Sequence, residues 1–190
     1  MPPLTGPYSY RELSDEEFRP IFERLRPLVF AEHFTFRSRQ ALSTDELEAM
    51  ELLGERMGKE SFSLRIGVYL DEEPVGWHVG HQEDAEKFYM TNTGIVEEHR
   101  GKGIYTALLP KIMERVAAEG FQIIYSRHNA TNNSVLVPKL KAGFVISGLE
   151  INDRFGTLVH LSYFTNPLRR RMMGVRAGEE RIDDELARYI

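Results

Sequence analysis

The period of the hydrophobic positions changes several times along the chain, and each change marks an element. Ser14-Asp15-Glu16-Glu17 has the capping-box form and opens a first helix, which Pro20 and Pro27 are expected to interrupt or kink. Ser43 or Thr44 caps a second helix carrying Leu47, Met50, Leu53 and Met57. The pattern then turns strand-like. Phe62 to Leu70 reads as a strand, Asp71 to Pro74 as a turn, Val75 to His81 as the returning strand, and Lys87 to Val96 as a third. Helical spacing resumes with Ile104, Leu108, Leu109, Ile112, Met113 and Val116, and Gly120 closes that helix. Phe121 to Ser126 is a strand, a short helix follows Asn132 and ends at Gly143, and Val145 to Ile151 with Thr157 to Phe164 make a last hairpin. A pure α/β chain would alternate throughout. This order predicts an α+β fold, a mixed and largely antiparallel central sheet with helices on both faces. Residues 1–165 form one domain in this reading. Residues 166–190 form a peripheral tail with one helix, whose Arg169-Arg170-Arg171 reads as a solvated or interface surface.

The densest chemistry lies in Ile95-Val96-Glu97-Glu98-His99-Arg100-Gly101-Lys102-Gly103-Ile104-Tyr105-Thr106. A strand ends there, a turn with two glycines and two cations follows, and an amphipathic helix begins. The first N–H groups of a helix have no intrahelical acceptor, and the dipole favours negative charge beside them. Gly101 and Gly103 let backbone approach a phosphate, while Arg100 and Lys102 add charge. A dinucleotide-binding unit is the main rival. Its fingerprint needs a third glycine where Thr106 stands and an acidic residue after the next strand, where this chain has Arg127-His128.

Two motifs in order then resemble the GNAT N-acetyltransferase superfamily. The first is Arg100-Gly101-Lys102-Gly103-Ile104-Tyr105, with Tyr105 in a slot for a small residue; the second is Asn132 followed by a short helix and Gly143-Phe144. The resemblance is clear from about Ile66 to Phe164. It implies acetyl transfer from acetyl-coenzyme A to an amine by direct attack in a ternary complex. It further implies that an N–H at Ile95 or Val96 faces the thioester oxygen. Arg100, Gly101, Lys102, Gly103, Ile104 and Tyr105 would hold the pyrophosphate, and Asn132 the pantetheine arm. The ring of Tyr105 either lies outward along its helix or narrows the turn.

Relatives often carry a tyrosine acid seven residues after the motif Asn and a glutamate base five before it. Those positions here are Lys139 and Arg127. Lys139 is one acid candidate, although a lysine on a short helix reads first as a surface residue. The thiolate is therefore expected to leave without obligatory help from it. His128 follows a strand that walls the cleft and is a candidate base. His78 and His81 read as polar strand residues on opposite faces, His99 as part of the turn, and Trp77 as a core or half-buried strand residue. Phe30, His33, Phe34 and Phe36 fall where relatives wall the acceptor site, and core packing explains the aromatics there as well as acceptor binding does. Glu97 and Glu98 read as turn-solvating carboxylates.

Composition narrows the partners. A net charge of −5 argues against general nucleic-acid binding. The absence of cysteine excludes disulfides, thiolate metal sites and a cysteine nucleophile, and the histidines lack metal-ligand spacing. With no apolar run of spanning length and no secretory pattern at Met1 to Pro7, a cytoplasmic protein is the expectation. The partner would be a small-molecule or peptide amine, with a homodimer possible through the tail. A non-catalytic acyl-coenzyme A-binding module is the alternative, because both usual acid/base side chains are replaced.

Overall fold

The computed structural model describes residues 1–30, 44, 61–84 and 86–190. An eight-stranded sheet organises them, in the order β1-β2-β3-β4-β5-β6-β8-β7. Its strands are β1 (Pro3–Thr5), β2 (Tyr8–Glu12), β3 (Ser63–Leu70), β4 (Glu73–Gln82), β5 (Lys87–Ile95), β6 (Ile123–Asn129), β7 (Val145–Asn152) and β8 (Gly156–Phe164). Every pairing is antiparallel except β5 with β6. The described helices are α1 (Asp15–Val29), α2 (Ile104–Ala118), α3 (Asn133–Lys141) and α4 (Pro167–Arg176). The expected α+β class and mixed, mostly antiparallel sheet are present. The expected second helix, with Phe34, Phe36 and His33 beside it, lies outside the described residues apart from Thr44.

Two features of the N-terminal segment depart from the sequence pattern. The chain before the first helix forms the hairpin β1–β2, and β2 extends the sheet by pairing with β3 from Tyr8 to Glu12. Short strands at a sheet edge carry too few alternating positions to be read from a proline-rich opening. Helix α1 also runs unbroken through Pro20 and Pro27, with the Ser14–Glu17 capping box formed. The carbonyls those prolines leave unpaired belong to Glu16 and Glu23, both exposed, so water satisfies them.

Adjacent residues on β4 show how the sheet is sandwiched. Trp77 is fully buried and meets Phe22 and Phe30 from α1, so it is a core residue. His78 points to the other face, also fully buried, on the side of Lys139 from α3. His81 faces the same way as Trp77 and is exposed, so the expected split of the two histidines is observed. The burial of His78 is not what a polar strand residue suggested. In the tail, the three arginines are partly exposed and ion-paired. Arg169 meets Glu86, Arg170 meets Glu179, and Arg171 gathers Glu180, Asp183 and Glu185. No helix among the described residues is long and apolar enough to cross a membrane.

Candidate active site

The sheet opens in its middle. Strands β5 and β6 pair only from Lys87 to Tyr89 against Ile123 to Tyr125. Beyond that, β5 follows β4 and β6 follows β8. The separation has a local cause: Val79 pairs Asn92, yet His81 pairs Tyr89, so β5 carries one extra residue opposite β4. Such a bulge bends its strand and raises the local twist. The resulting notch is continuous with a cleft of about 1030 Å³ walled by α1, β5, β6, α3 and the β7–β8 turn.

At one end of the notch lies the glycine turn. Gly101 and Gly103 have φ of +71° and +74°, and a Cβ built on either meets nothing within 4 Å. Both glycines therefore adopt left-handed backbone with open space above it. No side chain caps α2, whose first bond runs from Ala107 N–H to the Gly103 carbonyl. The N–H groups of Ile104, Tyr105 and Thr106 are left free for an anion. Ile104 itself is a core side chain and can contribute only through backbone. Lys102 is exposed and has no ion-pair partner among the described residues. Tyr105 turns inward, packs against the core and lines the cleft. Burial holds its phenol well above the ordinary range. Glu97 and Glu98 are exposed, and His99 Nδ1 sits 3.0 Å from the Tyr8 hydroxyl, tying the turn to β2.

Two residues of the turn region behave otherwise than expected. Arg100 donates from Nε to the Ile95 carbonyl (3.0 Å) and from a terminal nitrogen to the Val29 carbonyl (2.9 Å). Its side chain thus straps β5 to the end of α1, leaving its charge, rather than its best donors, for a phosphate. Val96 N–H donates to the Val75 carbonyl at 3.0 Å, which removes it as an oxyanion donor. Successive N–H groups of a strand alternate sides. With Val96 committed to β4, Ile95 N–H faces the notch.

Asn132 precedes α3 and lines the cleft, its Oδ1 accepting from Ser134 Oγ at 2.7 Å. Lys139 overturns the surface reading. It is 1% exposed, donates to Ser126 Oγ at 2.6 Å and approaches Met90 Sδ at 3.1 Å. Its ammonium position lies 4.5 Å from the Phe144 ring centroid. Burial lowers its pKa from 10.5 to about 7. The helix phase explains the surprise. Val135, Lys139 and Ala142 share a face at i, i+4 and i+7, whereas Val137 and Leu140 point outward and are exposed. Entry at Asn132 and exit into buried Phe144 fix that phase on a helix too short for its own stripe to do so.

Sequence reasoning missed Ser126. It shares an inward face of β6 with Ile124 and His128, which strict alternation could have shown. Its Oγ lies between Lys139 Nζ and His128 Nε2, the latter at 2.9 Å. His128 lines the cleft, and burial and the nearby Lys139 charge depress it to about 3. His78, likewise depressed to about 3 by burial and then by Lys139, places Nδ1 2.8 Å from Thr93 Oγ1 and leaves Nε2 without a partner. Arg127, at the position of the usual carboxylate base, lies on the opposite face of β6 from Ser126 and His128 and lines another part of the cleft. It stacks over Tyr89 (5.1 Å to the ring centroid) and pairs with Glu150 at 3.2 Å. Hydrogen bonds from Asn152, His160 and Arg127 hold Glu150 at about 2, so it stays ionised.

A model of the acetyltransferase (GNAT) family matches residues 12–144, a span that contains the notch, the glycine turn and α3. No curated protein matches the sequence. Among solved structures, the fold is similar to that of a GNAT family acetyltransferase from Elizabethkingia anophelis with acetyl-CoA bound, at 14% identity, covering 83% of this chain and 98% of that one, with a TM-score of 0.59. The ribosomal-protein-S18-alanine N-acetyltransferase from Escherichia coli is 10% identical over 83% of this chain and 93% of its own, with a TM-score of 0.61. Aminoglycoside 6'-acetyltransferase type Ii is 16% identical over 84% and 98%, with a TM-score of 0.59. Such identities speak for fold alone, while the family match covers most of the chain. The open backbone at Gly101 and Gly103, the uncapped helix and the unpaired strand edges fit acetyl-coenzyme A as co-substrate, and the chain belongs to the acetyltransferase (GNAT) family.

Proposed function

We propose that the protein moves an acetyl group from acetyl-coenzyme A to a primary amine that enters the cleft from the α1 side. The observation that carries this reading is the notch itself, which runs from the free N–H groups of α2 to the buried Lys139. Acetyl-coenzyme A supplies the activated acyl group as a thioester. The chain's residues do the rest. Backbone N–H groups at Ile104 to Thr106 and the charges of Lys102 and Arg100 neutralise the pyrophosphate. Asn132, whose amide nitrogen has no partner among the described residues, hydrogen-bonds the pantetheine arm. Ile95 N–H is the preorganised donor for the oxyanion, an effect typically worth ~3 kcal/mol. Phe22 and Phe30 of α1, with Tyr89 of β5, give the acceptor an apolar wall.

His128 and Lys139 are the acid/base candidates. A lysine held 1% exposed against a hydroxyl and a sulfur, with its pKa lowered to about 7, favours catalysis over a binding module. The cleft wall is not acidic: Arg26, Arg127 and Arg154 accompany Glu23 and Asp153. The net charge of −5 therefore does not translate into a preference for cationic acceptors at this site. Free-thiol release measured across small amines, aminoacyl compounds and peptide N-termini tests the reading. Turnover by any primary amine supports it. Transfer confined to hydroxyl or thiol acceptors, or coenzyme binding with no transfer to any acceptor, would overturn it.

A further inference from the structure

Three polar side chains meet beneath the notch with no carboxylate among them. Ser126 Oγ, on a residue that is fully buried, is 2.6 Å from Lys139 Nζ and 2.9 Å from His128 Nε2. Lys139 lies in the dry side of this cluster, against Met90 and Phe144. His128 lies at its cleft side, and its Nδ1 has no protein partner among the described residues. Resting on the acetyl-transfer reading, we propose that Ser126 is a relay residue carrying the proton of the attacking amine from His128 to Lys139, which then delivers it to the departing sulfur.

The step balances with one proton. As the amine nitrogen bonds to the acyl carbon, its proton passes to His128 Nδ1. The Nε2 proton of His128 moves to Ser126 Oγ, and the Ser126 hydroxyl proton moves to the lone pair of neutral Lys139. As the carbon–sulfur bond breaks, the Lys139 ammonium gives a proton to the thiolate. Lys139 ends neutral, as it began, and His128, left with its proton on Nδ1, returns to the Nε2 form by exchange with water at its cleft side.

The surroundings suit this cycle. The titratable groups facing Lys139 are His78 from β4 and His128 from β6, each disfavoured as a cation by burial and by the charge on Lys139. Tyr105 of α2 lines the same cleft and stays a neutral phenol, and Met90 and Thr93 of β5 carry no charge. The cluster therefore carries one positive charge at most. When Lys139 holds it, the ammonium donates to Ser126, and Ser126 donates to His128 Nε2, so the imidazole proton sits on Nδ1. When Lys139 is neutral the chain of donors can reverse, and the proton moves to Nε2. Ser126 makes the imidazole tautomer report the charge of the lysine.

That coupling is measurable in the free protein. Imidazole nitrogen shifts of His128 are followed by NMR from pH 5.5 to 9 in wild type, Ser126→Ala and Ser126→Thr, with thermal melts to confirm folding. The expected result is a tautomer change in wild type with a midpoint close to 7, where Lys139 titrates. It is lost in Ser126→Ala and kept in Ser126→Thr. A His128 response unchanged in Ser126→Ala, or no response in wild type, overturns the relay whether or not an acceptor is known. With an acceptor in hand, Ser126→Ala should lower kcat by roughly 100-fold, the usual range for general acid–base assistance, with coenzyme affinity within about twofold of wild type. An unchanged kcat would sink the relay while leaving acetyl transfer intact.

Discussion

Replacing Lys139 by Met tests the buried lysine without any substrate. Met is unbranched and adaptable, so it fills the space beside Met90 and Phe144 and removes only the ionisable nitrogen. In the folded protein Lys139 has its pKa lowered from 10.5 to about 7 by burial. Below pH 7 the lysine is protonated in both states and the whole burial cost is present. Between 7 and 10.5 the unfolded chain holds a proton that the folded chain does not, so folded stability rises with pH. Above 10.5 both are neutral and the cost is gone. A displacement of this size corresponds to ~5 kcal/mol below pH 7, and about half of it is relieved by pH 9. The Met variant also leaves the buried Ser126 hydroxyl without its Lys139 partner, a cost of about 2 kcal/mol that is present at every pH. Lys139→Met should therefore be more stable than wild type by roughly 2–3 kcal/mol at pH 6, with Tm higher by roughly 5–10 °C. Its advantage should shrink nearly to nothing by pH 9. Urea titrations at pH 6, 7.5 and 9 decide the matter. A difference that does not change with pH, or a Met variant less stable than wild type at pH 6, refutes the reasoning.

Further outcomes follow from the same geometry. Gly103→Val places a side chain over the free N–H groups of α2 and forces non-glycine backbone to φ of +74°, at a cost of about 1–2 kcal/mol. The folded variant should lose the thermal stabilisation that acetyl-coenzyme A gives wild type, and unchanged calorimetric affinity would remove the turn as the phosphate site. Arg100→Ala should lower stability by about 1–2 kcal/mol through loss of the strap to Ile95 and Val29, while coenzyme affinity falls less than about fivefold. A greater loss of affinity with stability unaltered would return the guanidinium to the phosphate. Arg171→Ala releases Glu180, Asp183 and Glu185 together, so limited proteolysis should cut faster after Arg170 or within 176–185, with coenzyme binding unchanged.

Much of this molecule could be read from periodicity, and the failures share a cause. Strands β3 to β5 and helix α2 are long enough for their own side chains to fix which face is buried, and their expected spans agree to within about two residues at each end. The glycine turn was visible because only glycine adopts such backbone cheaply. Lys139 and Ser126 were not readable in the same way. On α3 the apolar residues Val137 and Leu140 are exposed and the lysine is buried, since the rotation of a nine-residue helix is set by what precedes and follows it. Arg100 offers a similar lesson. Its spacing to the glycines suggests a phosphate ligand, but its acceptors are carbonyls at Ile95 and at Val29, 71 residues away. The parallel pairing of β5 with β6 is equally non-local. Only the resemblance to relatives, never the local pattern, implied the notch it leaves.

Why a lysine should stand where relatives place tyrosine follows from the sign of desolvation. Burial disfavours whichever form is charged, so a buried tyrosine moves further above neutrality and a buried lysine moves down toward it. Both cases occur in this cleft, with the Tyr105 phenol pushed up and Lys139 pushed down to about 7. A tyrosine can then only donate, and it needs a separate base for the amine. A lysine near 7 can both accept and donate at neutral pH, so under the proposed relay no carboxylate is needed at position 127. A carboxylate facing Lys139 would also restore its high pKa and defeat the arrangement. Lys139→Tyr separates the two roles, keeping a donor beside Ser126 and removing the acceptor. Its kcat/KM should rise at unit slope up to the pKa of the acceptor amine, whereas wild type should rise more steeply below about 7, where Lys139 must also lose a proton, and follow the same unit slope above it. Superimposable pH profiles for the two enzymes, with an acceptor whose own pKa lies above 9, would show that Lys139 takes no proton from the amine.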